Sequence, residues 1–282
     1  MIGIVTDSTC DIPDELLKRY GIIVVPSFIL WGNDQYRDRV DLQPVDFYRR
    51  LEVDPQQPHS SMPGVQDFQA AFECAVQQGA DAIIVLTVSS AMSGTYQQAK
   101  TAAEKAALPI EVVDSKGPTM TLGWQVLAAA RAREAGADLQ GILDQVESVR
   151  GKLAQFVGMD TLKYLQAGGR IGNAAKWAGA MLQIKPLVSI NHKTGLVEPA
   201  RIVRTHRALV EMLYDKFFEQ IGNKKHLRIA VLHGNIPEEA QRLAERIQAE
   251  YQPLEMLINI TGPVLAINTG PGALALCGYA ED

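Results

Sequence analysis

The sequence predicts an α/β protein. Short runs of β-branched residues alternate with longer segments of helical periodicity, and several runs end in small polar residues that lead into a helix. The same rhythm restarts near Lys152, which divides the chain into an N-terminal unit of residues 1–152 and a C-terminal unit of residues 153–282.

Each element follows from local signals. "IGIVT" reads as a strand and "DIPDELLKRYG" as a helix, with Asp11 as N-cap, Pro13 in the first turn and Gly21 as the stop. "IIVVPSFILWGNDQYRD" is extended chain folded back at Gly32-Asn33. Then come two helices, "PVDFYRRLEV" and "GVQDFQAAFECAVQQGA", a strand "DAIIVLTV", a helix "GTYQQAKTAAEKAA", a strand "IEVVD" and a helix "TMTLGWQVLAAARAREAG". That order is the rhythm of an open, mostly parallel sheet. After "ADLQGILDQVESVRGK" it begins again with the strand "LAQFVGM". "TLKYLQAGGRIGNAAKWAGAMLQ" gives two short helices broken at Gly168-Gly169, and "PLVSI" and "LVEPARIV" pair through "NHKTG". "LRIAVLHG" is a strand, "IPEEAQRLAERIQAEY" a helix opened by Pro237, "LEMLINI" a strand, and the tail "GPVLAINTGPGALALCGYA" is glycine-rich and apolar.

Composition excludes several classes. With 47% hydrophobic residues in 282, the chain can bury one large or two modest cores. A formal charge of −5 gives no bulk attraction to nucleic acid, so no nucleic-acid partner is expected. The three cysteines are widely spaced without a CxxC pair, which points to reduced thiols and to neither a disulfide framework nor a metal site. The start "MIGIVTDSTCDIP" has no signal-peptide pattern, and the longest apolar stretches fall short of about 18 residues. The expectation is a cytoplasmic protein without stable membrane insertion.

The chemistry concentrates in loops. "LTVSSAMSGTYQQA" ends a buried strand in hydroxyls and glycine just before a helix, where free N–H groups and a positive partial charge favour an anion. Ser93 supplies a hydroxyl and Gly94 allows close approach to the backbone. No lysine and no GxxxxGK[ST] string accompanies them, so a single carboxylate suits this loop better than a polyphosphate. An N-cap serine in a small-residue turn explains the stretch equally well. "HSSMPGVQDF" is a second polar loop, carrying Ser60 and Ser61, with Asp67 placed as a first-turn acid. "INTGPGALAL" leaves Asn268 and Thr269 as polar groups beside a tight turn. In "AGGRIGN", Arg170 suits either an anion or helix-end carbonyls. Arg201, Arg204 and Arg207 form a basic cluster near a helix start. No catalytic motif occurs, and the five histidines are scattered. The strand-end acids Asp7 and Asp114 keep open a rival reading, a phosphotransferase or hydrolase, although Asx-turns are common in such places.

Taken in order, "IVTDSTCDIP", "SSMPGVQDF", "VSSAMSGTYQQA", "VVDSKGPTMTLGWQV", "YLQAGGRIG", "KPLVSI" and "GPVLAINTGPGALAL" resemble the DegV family of bacterial fatty-acid-binding proteins over essentially the whole chain. The resemblance implies two α/β domains with one long-chain fatty acid in a tunnel between them, no cofactor, and no activity of the chain's own. It places Ser93 at the family's carboxylate-binding serine, Ser60 where the family usually has threonine, and Asn268 where many members have histidine, with Gly94 beside them. Ser61 and Arg170 join as pocket residues, and Trp177 and Met181 as a candidate tunnel wall. It further implies a partner, a separate fatty acid kinase, with Arg201 and Arg204 as docking residues.

Overall fold

The computed structural model describes residues 1–180, 184–222 and 225–281. It begins with β1 (Ile2–Asp7), α1 (Asp14–Tyr20), β2 (Ile23–Val25), β3 (Phe28–Trp31), β4 (Asp34–Arg37), α2 (Pro44–Val53) and β5 (His59–Ser61). These lead to α3 (Val65–Gln77), β6 (Ala82–Thr87), α4 (Thr95–Ala103), β7 (Ile110–Asp114), α5 (Met120–Glu134) and α6 (Leu139–Lys152). Next come β8 (Ala154–Gly158), α7 (Lys163–Ala167), a 3-10 stretch at Gly172–Ala180, β9 (Lys185–Asn191), β10 (Leu196–Val203) and α8 (His206–Ile221). The chain closes with β11 (Leu227–His233), α9 (Pro237–Tyr251), β12 (Glu255–Ile260), α10 (Pro263–Thr269) and β13 (Leu274–Ala280).

Strands β2, β1, β6 and β7 form, in that order, an all-parallel sheet. Helical connections such as β1–α1–β2 and β6–α4–β7 provide the crossovers that parallel pairing needs. Strands β4, β3 and β5 make a small antiparallel sheet, and β5 takes Ser60 and Ser61, expected in a loop, into its edge.

The third sheet runs β10-β9-β8-β13-β11-β12 and corrects the expectation of a repeated parallel rhythm. Only β11 and β12 are parallel; every other neighbour is antiparallel. The connections explain it. The turn through Asn191 and Gly195 is far too short for a crossover, and β11–α9–β12 is a true βαβ unit. The last strand, β13, runs antiparallel between β8 and β11, and its near-continuous apolar run "LALCGYA" is buried on both faces.

Packing stacks these pieces in layers. Helices α3 and α4 cover one face of the four-stranded sheet. Helices α1, α5 and α6 lie between that sheet and the six-stranded one, in a core that joins Ile4, Ile84 and Leu86 to Val157, Val188 and Ala230. Helices α8 and α9 cover the far face. Helix α5 is the central pillar, with twelve of its fifteen residues buried, and its small and apolar residues suit a helix enclosed all round. Trp124 Nε1 donates to the Cys277 carbonyl at 3.1 Å, and Arg131 grips Glu255 at 2.7 and 2.8 Å. At Gly123 a Cβ would stand 2.5 Å from the Cys10 carbonyl oxygen, so this close approach requires glycine.

Candidate cavity between the sheets

Beside the start of α5, the two larger sheets leave a cavity of about 330 Å³, a size suited to a small-molecule ligand. Its greasy wall is a face of the six-stranded sheet. Val157 on β8, Val188 and Ile190 on β9, Val197 on β10, Leu232 on β11 and Ala275 on β13 all line it and are buried. Their spacing is the period of two that puts alternate residues on one face. Met159, Leu165, Val264 and Leu265 continue the apolar surface.

Much of the polar lining comes from strand β5, the loop before α4 with that helix's first residue, and the end of α10. Ser60, Ser61, Ser93, Gly94, Thr95, Asn268 and Thr269 all line the cavity, so every residue expected to hold a carboxylate is brought to one space. The Ser93 hydroxyl lies 2.8 Å from that of Thr95 and accepts from the Thr95 N–H at 3.3 Å. Either hydroxyl can be the donor of that pair; when it is Thr95, the Ser93 proton is left for a ligand. Over Gly94 sits Met62, whose sulfur would lie 2.6 Å from a Cβ there, so a side chain at this position would push the flexible end of Met62 aside. Asp67 accepts from the Gly64 N–H at 2.7 Å and so fastens the start of α3 behind Ser60 and Ser61.

Asn268 donates from Nδ2 to the Val264 carbonyl at 3.1 Å, while its buried Oδ1 has no partner. A half-turn of the amide presents a donor in place of that oxygen at the cost of the hydrogen bond to the Val264 carbonyl. Arg170 is the one ionisable side chain among the described residues that line the cavity. It donates from Nε to the Met92 carbonyl at 3.3 Å and from Nη1 to the Gly168 carbonyl, tying the serine loop to the end of α7. Both sequence readings of this arginine thus meet: it caps a helix-end carbonyl and brings one positive charge to the cavity.

The strand-end acids have other employment. Asp7 is fully buried and accepts from the Val88 N–H at 2.7 Å and from the Thr9 N–H and hydroxyl at 3.0 and 2.5 Å; burial pushes its pKa up. Asp114 accepts from the Ser90 N–H at 3.1 Å, the Ser90 hydroxyl, and the Lys116 N–H and ammonium at 3.0 and 2.8 Å. Burial raises its pKa, but the hydrogen bonds from Lys116 and Ser90 outweigh that and hold it below the ordinary value. Neither acid lines the cavity, and both act as turn locks. Among the described residues no group of three or more His, Cys, Asp or Glu could hold a metal ion, and no helix is long and apolar enough to cross a membrane.

An ionic cluster, not foreseen from sequence, fastens the other side. Buried Asp11 accepts from Arg39 Nη2 at 2.5 Å and from the Gly262 N–H at 3.0 Å, and Arg39 also donates to the Ile260 carbonyl at 3.1 Å. Asp38, which accepts from the Ser8 hydroxyl at 2.7 Å, has its carboxyl pushed up to about 7 by burial despite the pull of Arg39. This joins the first part of the chain to the turn between β12 and α10, next to cavity-lining Thr261 and Val264.

Other expected residues lie elsewhere. Trp177 packs against the central core and does not line the cavity. Met181 falls outside the described residues. Arg201 on β10 and Arg204 just after it are exposed and do not line the cavity. Sequence reasoning missed the wall residues and Gln155. The signal for Gln155 was one amide inside the apolar strand "LAQFVG".

The family model described as an uncharacterised protein of the DegV family matches residues 1–281. A DegV domain-containing protein of Halalkalibacterium halodurans is 32% identical over 282 residues, 99% of each chain. A solved structure described as showing fatty acid binding of a DegV family protein from Thermus thermophilus superposes with a TM-score of 0.90 at 29% identity, covering 99% of each chain. That of DegV from Bacillus subtilis, described as a fatty acid binding protein, gives 0.90 at 28% identity with the same coverage.

Proposed function

This chain belongs to the DegV family, and from that premise we propose that it binds one long-chain fatty acid, with the carboxylate at Ser60, Ser93, Gly94 and Asn268 and the tail along the six-stranded sheet. The observation that carries this reading is the make-up of the cavity: an apolar sheet face, a cluster of hydroxyls, and one positive charge, Arg170, to face one negative charge. In this reading residues 1–152 and 153–282 are the two domains that enclose the ligand, Ser61 and Arg170 frame the entrance, and the protein works in the cytoplasm.

Magnitudes divide the labour. Burying the acyl tail at about 0.8 kcal/mol per CH₂ is worth on the order of 10 kcal/mol gross, whereas each hydrogen bond to a charged group nets roughly 1.5–3 kcal/mol. The wall therefore supplies affinity and the hydroxyls supply orientation. The rival enzyme reading loses support because Asp7 and Asp114 are spent on backbone N–H groups away from the cavity. A titration with palmitate and its methyl ester tests the proposal. The acid should bind more tightly, and equal affinity for acid and ester, or no binding of either, would refute it.

The ligand is then presented to a separate fatty acid kinase, for which exposed Arg201 and Arg204 form the docking site. Arg204→Glu should lower kinase-coupled turnover and leave palmitate affinity unchanged; unaltered turnover removes Arg204 from that role.

A further inference from the structure

Gln155 has no exposed surface, yet it lines the cavity. It stands two residues before Val157 on β8 and therefore on the same face of the sheet. Its Oε1 accepts a hydrogen bond from the Thr121 hydroxyl at the start of α5, and its Nε2 has no hydrogen-bond partner. A buried amide donor left unmatched is both rare and unfavourable. Its register partner Cys277 has its Sγ 3.7 Å from the same Thr121 hydroxyl and is at most a weak acceptor, and Ile190, Val197 and Val157, which line the same cavity, offer no side-chain acceptor.

Register fixes how deep it lies. Gln155 pairs with Cys277, four residues along the chain from Ala273, which follows Asn268 and Thr269 by a short turn and lines the cavity with them. At about 3.3 Å per residue that is ~13 Å. A zigzag of C–C bonds of about 1.5 Å each covers it in roughly ten carbons. An acyl chain with its carboxylate by Asn268 and Ser93 thus carries its middle past Nε2.

We propose that Gln155 is a specificity-determining residue whose Nε2 donates to an oxygen acceptor on the middle of the acyl chain, so that the cavity favours a mid-chain oxo fatty acid over positional isomers that place the oxygen elsewhere. This rests on the fatty-acid reading above. A fully saturated chain strands the donor; a carbonyl at the matching carbon satisfies it and has no proton of its own to place.

Positional isomers have the same hydration, so their comparison isolates the contact. The wild-type protein should bind 10-oxostearate about tenfold more tightly than 5-oxostearate, the scale set by pairing or stranding one buried donor. Equal affinity for the isomers, with stearate bound normally, overturns this inference and leaves the fatty-acid reading intact. Failure to bind stearate at all overturns both. In Gln155→Met the isomer preference should vanish while stearate binds more tightly, because no donor is left stranded. A variant that weakens all three ligands alike shows that the glutamine is only structural and contradicts the proposal.

Discussion

The two larger sheets meet the same cavity in different ways. The parallel sheet meets it with its strand ends: Thr9, Ser27, Val88, Ser93 and Thr119 all follow the carboxyl ends of β1, β2, β6 or β7. The mixed sheet lays a face against it, through strand residues such as Val157, Val188, Leu232 and Ala275. Strand ends release backbone N–H groups and small hydroxyl side chains, which suit a charged head. A sheet face has its backbone paired and offers only side chains at every second residue, which suits hydrocarbon. One fold class therefore brings hydroxyls and hydrocarbon to one cavity, the parallel sheet through its strand ends and the mixed sheet through a face, with β5 and α10 adding further polar groups.

Filling the wall should have the largest effect. Ala275→Trp displaces three or four methylenes of tail, and at about 0.8 kcal/mol each it should cut palmitate affinity roughly a hundredfold. The variant should leave the preference for acid over ester in place, as a titration of both will check. Next comes the head. Ser93→Ala should weaken palmitate about tenfold and the methyl ester hardly at all. If ester and acid weaken together, the strand-end loop does not read charge and the contrast between the sheets fails.

A third test concerns the clasp that holds the strand-end loops to the turn before α10. Asp38 has an ordinary value of 3.8 and is raised to about 7 by burial, with Arg39 and Asp11 facing it. Between those values the folded chain keeps a proton that the unfolded chain has released. Its contribution to stability is thus fullest below pH 3.8, declines as pH rises towards about 7, and is constant beyond. Asp38→Asn should remove this slope, so that its melting temperature gains on the wild type between pH 4 and 7. A difference that stays flat over that interval would contradict the assignment. The smallest effect is expected of Asn268→His, which should tighten palmitate a few-fold below pH ~6.5, where the imidazole is charged, and not above it. Identical affinity at pH 6 and 8 would place residue 268 away from the carboxylate.

Much of this was legible in the sequence because it is local. Ser93 and Gly94 mark a strand-to-helix turn, and Gly32 and Asn33 mark a hairpin, without help from the rest of the chain. Direction of the strands in the second half was not legible, since β13 pairs with β8 and β11 from far along the chain. Val157 and Leu232 read as ordinary strand core, because a residue facing a cavity and one facing a helix look alike in sequence. Asp11 and Arg39 stand 28 positions apart, and no spacing rule joins them. Gln155 did carry a signal, a lone amide among apolar neighbours, whose meaning depends on the space in front of it.

Native mass spectrometry of the purified chain, before and after extraction with organic solvent, tests the central claim most directly. One fatty acid per chain should be present, should leave on extraction, and should return when palmitate is added. A chain that stays at its bare mass with palmitate in excess, or that carries a nucleotide in the acid's place, would contradict it.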